Sequence, residues 1–328
     1  MFAADKERFV NERYPNSEIS RKQVLATLMS LSSFEESWGM DFTMQDLPEL
    51  QKAFSSIIST AYSGSKTTLI RFHRYAKWRI DNGLPCADSV FKLVPDRITA
   101  MKESMVSSPA HLAKVLDAVF DDPVTGSSDI IYRVFLWMGF SGISDSEALR
   151  VTKDEVDFRT MTIHHEGFEY PIYSESKYDF RIACDINEFV EGKKRRKRCD
   201  GDEIMRGKND TSSRSPESVL IGTIRPMVFR RFKSAEAANQ NLERPLDIGY
   251  DITFSRVLLS GTFYRMYQDE INGNPPDFAE YALAEFHRAQ QSDKPYKVSD
   301  ANPRWGILLR LRKSAESDYN SWKKAFNL

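Results

Sequence analysis

Apolar positions recur at helical spacing through most of the chain. Phe2 to Tyr14 reads as a short amphipathic helix, and Ser20 to Trp38 places Val24, Leu28, Leu31 and Phe34 on one stripe. Met44 to Ser59 follows a cap at Thr43. A further helix from Ser65 to Asn82 stops at Gly83, with Pro85 just beyond. These four helices predict an N-terminal helical domain over 1–85. The proline-punctuated stretch 86–107 reads as a linker.

Beyond the linker, SPAHLAKVLDAVFDD predicts a helix capped by Ser108, and SSDIIYRVFLWMGFSG a more apolar helix suited to a core. SDSEALR predicts a short third helix, with Ser144 as its cap and Glu147 completing a capping box. The period then changes from 3.6 to 2. TMTIHH and FEYPIYS are strand-like runs separated by Glu166 and Gly167, a two-residue hairpin connection. Helices are expected near 176–191, then, after a basic loop, from Thr223 to Asn241 and near 253–270, 276–291 and 303–326. The expected fold is mainly α with a small antiparallel β-sheet, in two domains, the second covering 108–328.

At 328 residues, 41% hydrophobic and 28% charged, the chain has material for two folded domains and is no low-complexity tail. Its three cysteines, Cys86, Cys184 and Cys199, form no CxxC, so neither a disulfide framework nor a zinc ribbon is expected. The start, MFAADKERFV, lacks the apolar run of a signal peptide, and no run of 18 apolar residues occurs. A reduced, cytoplasmic protein is the expectation.

The net charge of −1 conceals an uneven distribution. Residues 61–85 carry 5 basic and 1 acidic side chains, residues 192–233 carry 13 and 5, and the intervening 86–191 carry 10 and 19. Two basic islands thus stand in an acidic chain, as a nucleic-acid surface requires. In the first island, Leu69, Phe72, Tyr75, Ala76 and Ile80 fall at helical spacing, while Lys66, Arg71, Arg74 and Lys77 fall largely opposite. The second runs through KKRRKR, then Arg206 and the polar stretch KNDTSSRSPES that opens with Lys208, then TIRPMVFRRFKS with Arg225, Arg230, Arg231 and Lys233. A loop followed by a helix, rich in Arg and Lys, suits phosphate contacts. A cationic run can equally be a solvated loop or a localisation signal, and two islands in one neutral chain favour the binding surface.

The arrangement and several stretches resemble the tyrosine recombinase (phage integrase) family, whose members clamp duplex DNA between a helical core-binding domain and a larger mixed catalytic domain. TTLIRFHRYAKWRIDNG resembles the last core-binding helix. MGFSGISDSEALRVTKDEVDF followed by a hairpin resembles the start of the catalytic domain, and SGTFYRMYQDE the helix that carries the second catalytic Arg. The resemblance covers nearly the whole chain.

Departures from the family pattern fall on its chemistry. The first Arg position falls on Ser144, the second on Ser260, and the two usual His positions on Val257 and Gly261. Shifting the alignment by two residues puts Leu258 at the second Arg position. The hairpin has no Lys to act as general acid; His164 and His165 stand there instead. Only Tyr319 stands near the nucleophile position. A serine supplies neither the permanent charge nor the bidentate fork of a guanidinium, and losing one such donor typically costs about 100- to 1000-fold in rate. The pattern therefore implies a retained fold without catalytic residues, Tyr319 being a structural aromatic beside Trp322 and Phe326. It is most similar to the recombinase-fold master repressors of SPbeta-related temperate phages, which bind repeated operator elements to keep lytic genes silent.

Other chemistry finds little support. Adjacent strand residues point to opposite faces, so His164 and His165 do not readily share a metal ion. Phosphate-binding, dinucleotide-binding and hydrolase-elbow motifs are missing. No metal and no cofactor is expected. The expected function is sequence-specific double-stranded DNA binding by a phage or prophage transcriptional repressor that maintains lysogeny in a bacterial cytoplasm. Lys66, Arg71, Arg74 and Lys77 would serve from one domain and the segment 206–233 from the other. The apolar ending, Trp322 to Leu328, could reach a second copy or fold back. Two alternatives are an active recombinase, with Arg256 and Arg265 supplying the charge and Tyr319 the nucleophile, and a protein-binding module using the acidic 86–191 region.

Overall fold

Capping chemistry sets where the N-terminal helices begin and end. The structure is a computed structural model, and it describes residues 2–58, 65–94, 97–191, 194–198, 201–206, 219–290, 295–299 and 302–328. Helix α1 spans Ala3–Arg13. In α2, Glu18–Met29, the Ser17 hydroxyl accepts the Ser20 amide at 3.2 Å. The stretch read as one helix to Trp38 is two, since α3, Ser32–Trp38, starts anew after a break. It closes on Gly39 in the left-handed region at φ +68°. Thr43 does not cap the next helix. It lies in a 3-10 turn, Phe42–Met44, where its amide and hydroxyl donate to buried Asp41 at 3.0 and 2.6 Å. Helix α4, Leu47–Ile58, begins later, with the Asp46 carboxylate accepting the Glu49 amide at 3.1 Å. Helix α5 is Ser65–Asp81.

The chain divides into two compact units, Met1–Met101 and Lys102–Leu328. Phe9, Leu28, Phe42, Phe54, Phe72 and Tyr75 centre the core of the first. Charges inside it are paired, as burial demands. Lys6 meets Glu35, while Asp41 accepts the Tyr75 hydroxyl at 3.0 Å and holds Arg79 at 2.8 Å. The stretch 86–107 carries ordered structure: a 3-10 turn at Asp88–Lys92 and helix α6 at Arg97–Ser104. Val90 and Leu93 join the first core, and the division between units falls within α6.

In the second unit, α7 spans Pro109–Val119, its Ser108 cap accepting the His111 amide at 3.1 Å. Helix α8, Asp129–Ser141, is buried along its whole length and closes on Gly142 at φ +111°. Helix α9, Asp145–Ala148, opens on the expected capping box: Ser144 Oγ accepts the Glu147 amide at 3.3 Å, and Glu147 Oε2 the Ser144 amide at 3.0 Å. Strands β1, Val156–Asp157, β2, Thr162–His165, and β3, Phe168–Pro171, form an antiparallel sheet in that order. The β2–β3 turn places Glu166 at φ +50° and Gly167 at φ +82°, the two left-handed positions of a two-residue hairpin.

Helix α10, Lys177–Asp185, ends earlier than the periodicity suggests, and an unforeseen second hairpin follows. Strand β4, Glu188–Glu191, pairs antiparallel with β5, Lys194–Lys197, so the KKRRKR run is largely a strand and not a loop. A π-turn, Leu220–Ile224, leads into α11, Arg225–Asn239; α12, Phe254–Ile271, α13, Phe278–Gln290, and α14, Arg304–Phe326, complete the unit. Helices α8 and α12 pack closely at Gly261, where a Cβ would lie 1.9 Å from the Phe140 carbonyl oxygen. The fold is thus mainly helical with a small antiparallel sheet.

Candidate nucleic-acid interface

Helix α5 buries Phe72, Tyr75 and Ala76 and turns Arg74 and Lys77 outward. Arg71 is half-buried, its Nη1 donating to Thr27 Oγ1 at 2.5 Å and to the Gln23 carbonyl at 3.4 Å, both on α2. Arg74 Nη1 lies 3.5 Å from the Tyr14 hydroxyl. An open groove of about 310 Å³ between α2 and α5 is lined by Tyr14, Ser20, Gln23, Val24, Thr67, Ile70, Arg71 and Arg74. The side chain of Lys66 lies outside the described residues. Tyr14, Ser20 and Gln23 escape sequence reasoning because that reading follows the apolar stripe of α2 and ignores its polar side. The polar side is the one that shares the groove.

The cations of the second island differ in what they are free to do. Arg206 donates from Nη1 to the Gly201 carbonyl, and Lys208 lies outside the described residues. Arg225 pairs with Asp145 at the rim of a cavity of about 390 Å³ floored by Phe135, Val228 and Phe254. Arg231 donates from Nε and Nη2 to Asp129 Oδ1, at 3.2 and 2.8 Å, and so satisfies a buried carboxylate. Lys233 reaches Glu236 at 2.7 Å and Asp251 at 3.2 Å. Burial lowers the affinity of that ammonium for its proton, but the two carboxylates outweigh it and raise its pKa above the usual lysine value. Arg230 faces solvent, with the Met227 sulphur 4.0 Å from its Nη1. Of the four cations expected on α11 or at its start, Arg225, Arg231 and Lys233 are engaged by acids of their own unit, since sequence-local charge does not reveal partners as remote as Asp145 and Asp129.

Lys194, Arg195, Arg196 and Lys197 are exposed along β5, with Arg195 3.8 Å from Glu188. The next residue behaves differently. Arg198 is buried, and its guanidinium donates to the carbonyls of Ala183, Ile186, Ile204 and Arg206.

The positions aligned with recombinase chemistry are occupied by packing and capping. Ser144 caps α9. Ser260 is buried, its hydroxyl accepting the Val106 amide at 3.1 Å and donating to the Arg256 carbonyl at 2.7 Å. Val257 and Gly261 lie buried on the same helix. Arg265 Nη1 donates to the Phe140 carbonyl at 2.7 Å. Tyr319 is 2% exposed and stacked on Trp322 with ring centres 6.0 Å apart. Its hydroxyl donates to Glu270, which also pairs with Lys323 at 2.8 Å. Burial and that carboxylate push the phenol pKa far up, so the phenolate a nucleophile needs is disfavoured. His165 is buried with Nδ1 2.9 Å from Glu155 Oε1, whereas His164 points to the open face near Glu169 at 3.5 Å. Among the described residues, no three metal-ligating side chains converge.

No protein-family model matches the sequence, and no curated protein matches it. No described helix is long and apolar enough to cross a membrane.

Proposed function

We propose that this chain is a sequence-specific double-stranded DNA-binding protein with a recombinase-type two-domain architecture and no recombinase chemistry. It acts as a transcriptional repressor that holds a phage or prophage lysogenic by occupying operator repeats. The reading rests on one observation above the others: α5 buries aromatic residues on its inner side and carries Arg74 and Lys77 on its outer side, with half-buried Arg71 lining a groove shared with α2. Phosphate contacts from such a face would provide affinity, and the polar side chains of the groove would supply donors and acceptors for base edges.

Two further observations weigh against an active enzyme. Ser260 is fully buried, with its hydroxyl engaged by the Val106 amide and the Arg256 carbonyl, and the Tyr319 hydroxyl donates to Glu270. The repressor therefore binds without attaching covalently. The C-terminal segment folds back on its own unit, with Trp322 buried and its indole donating to the Val106 carbonyl at 3.0 Å, so a second copy on repeated operators would have to join through another surface.

Salt-titrated binding of a selected duplex tests this reading. Each lost phosphate contact reduces the slope of log K against log salt by about 0.9, so Arg74→Ala/Lys77→Ala is expected to flatten it by about 2 and weaken binding at least tenfold. An unchanged slope and affinity would overturn the assignment of α5.

A further inference from the structure

We propose that the β4–β5 hairpin is a second DNA contact: a rigid cationic ribbon that grips duplex phosphates without reading sequence. The proposal rests on the DNA-binding reading above and extends it to an element not used there. Four consecutive cations, Lys194 to Lys197, are exposed on one strand. Strand pleating sends Lys194 and Arg196 to one face and Arg195 and Lys197 to the other, with same-face side chains about 7 Å apart. Phe189, opposite Arg196 in the ladder, is buried, so the Lys194–Arg196 face is the one anchored to the unit, while Arg195 and Lys197 lie on the outward face.

The hairpin base is fixed to the rest of the unit. Phe189 is fully buried, and the Val190 amide donates to the Gly126 carbonyl at 2.8 Å. Arg198, 5.8 Å from the Phe189 ring centre, ties the strand end to four backbone carbonyls. Cations on such a scaffold lose less freedom on binding than cations on a loose loop. Glu188 stands opposite Lys197 in the ladder and lies 3.8 Å from Arg195. A competing account holds that lysines and arginines on β5 merely protect an open strand edge from pairing with other chains. That account requires no effect on DNA binding.

The test compares the full chain with K194Q/R195Q/R196Q/K197Q by salt-titrated binding to its selected duplex and to an unrelated duplex. Circular dichroism and light scattering verify the fold and the monodisperse state. The expected result is a slope flatter by about 3.6 on both duplexes, at about 0.9 for each of the four contacts, with the same sequence motif enriched in selection. Should the fourfold variant aggregate, R195Q/K197Q keeps one face of the ribbon and is expected to lose about 2, while R195K/R196K is expected to retain the full slope. Wild-type slopes in the glutamine variants overturn the ribbon while leaving the α5 assignment standing. A changed motif shows that the hairpin reads bases and overturns the non-specific role. No duplex binding by the wild-type chain even at low salt overturns the ribbon together with the function on which it rests, and the α5 variant then has no binding to lose.

Discussion

Ser260 and Gly261 are adjacent, and each is specified by what touches it. The Ser260 hydroxyl satisfies a buried amide and a helix carbonyl, while Gly261 lets α12 approach the α8 backbone. Gly261→Ala would drive a Cβ into the Phe140 carbonyl, and backbone cannot yield as a flexible side chain does. We expect a loss of about 3 kcal/mol or more, read from the denaturation midpoint. Tyr319→Phe removes one hydrogen bond and leaves Glu270 its pairing with Lys323. A loss of about 1 kcal/mol with unchanged DNA affinity is expected. His111 carries a pH signature. Burial lowers its pKa, Lys114 lowers it further, and Asp247 offsets part of the shift. A folded-state pKa below the unfolded value of about 6.5 favours the neutral ring, so its contribution is complete above that pH and lost as pH falls below it. Thermal melts from pH 7 to pH 5 should decline more steeply for the wild type than for His111→Gln. Parallel declines would contradict this.

At the scale of elements, periodic and capped segments were legible and charge-defined ones were not. Helix α5 shows its apolar face and its Gly83 stop in the sequence, and the β2–β3 hairpin shows alternation plus Glu166-Gly167. The β4–β5 hairpin had no such signal, because Lys194 to Lys197 offer no apolar alternation and the pairing depends on Phe189 being buried against the rest of the unit. The break between α2 and α3 was hidden for the opposite reason: Val24, Leu28, Leu31 and Phe34 keep an apolar stripe across it. Candidate site residues divide likewise. Arg74 and Lys77 could be assigned to an outer face from spacing alone, whereas the partner of Arg231 lies 102 positions away. Arg231→Ala is therefore expected to act on stability first, by about 1 to 3 kcal/mol, since it leaves the buried Asp129 carboxylate short of a donor. Arg230→Ala, on the exposed side of the same helix, should leave the melting temperature unchanged and bear only on DNA affinity.

For the whole molecule, the near-zero net charge is the sum of acidic and basic regions, and both units carry exposed cations. The stretch read as a linker belongs partly to each unit, because Val90 and Leu93 supply apolar anchors that the neighbouring prolines obscured. The proposed function requires that this fold bind specific duplex DNA and leave it chemically intact. The most direct test is selection from random duplexes, followed by denaturing electrophoresis of the wild-type chain and Tyr319→Phe on nicked forms of the enriched sequence. An enriched motif, salt-sensitive binding and no protein–DNA adduct with either chain are expected. An adduct formed by the wild type and abolished in Tyr319→Phe would contradict the proposed function and establish a working recombinase.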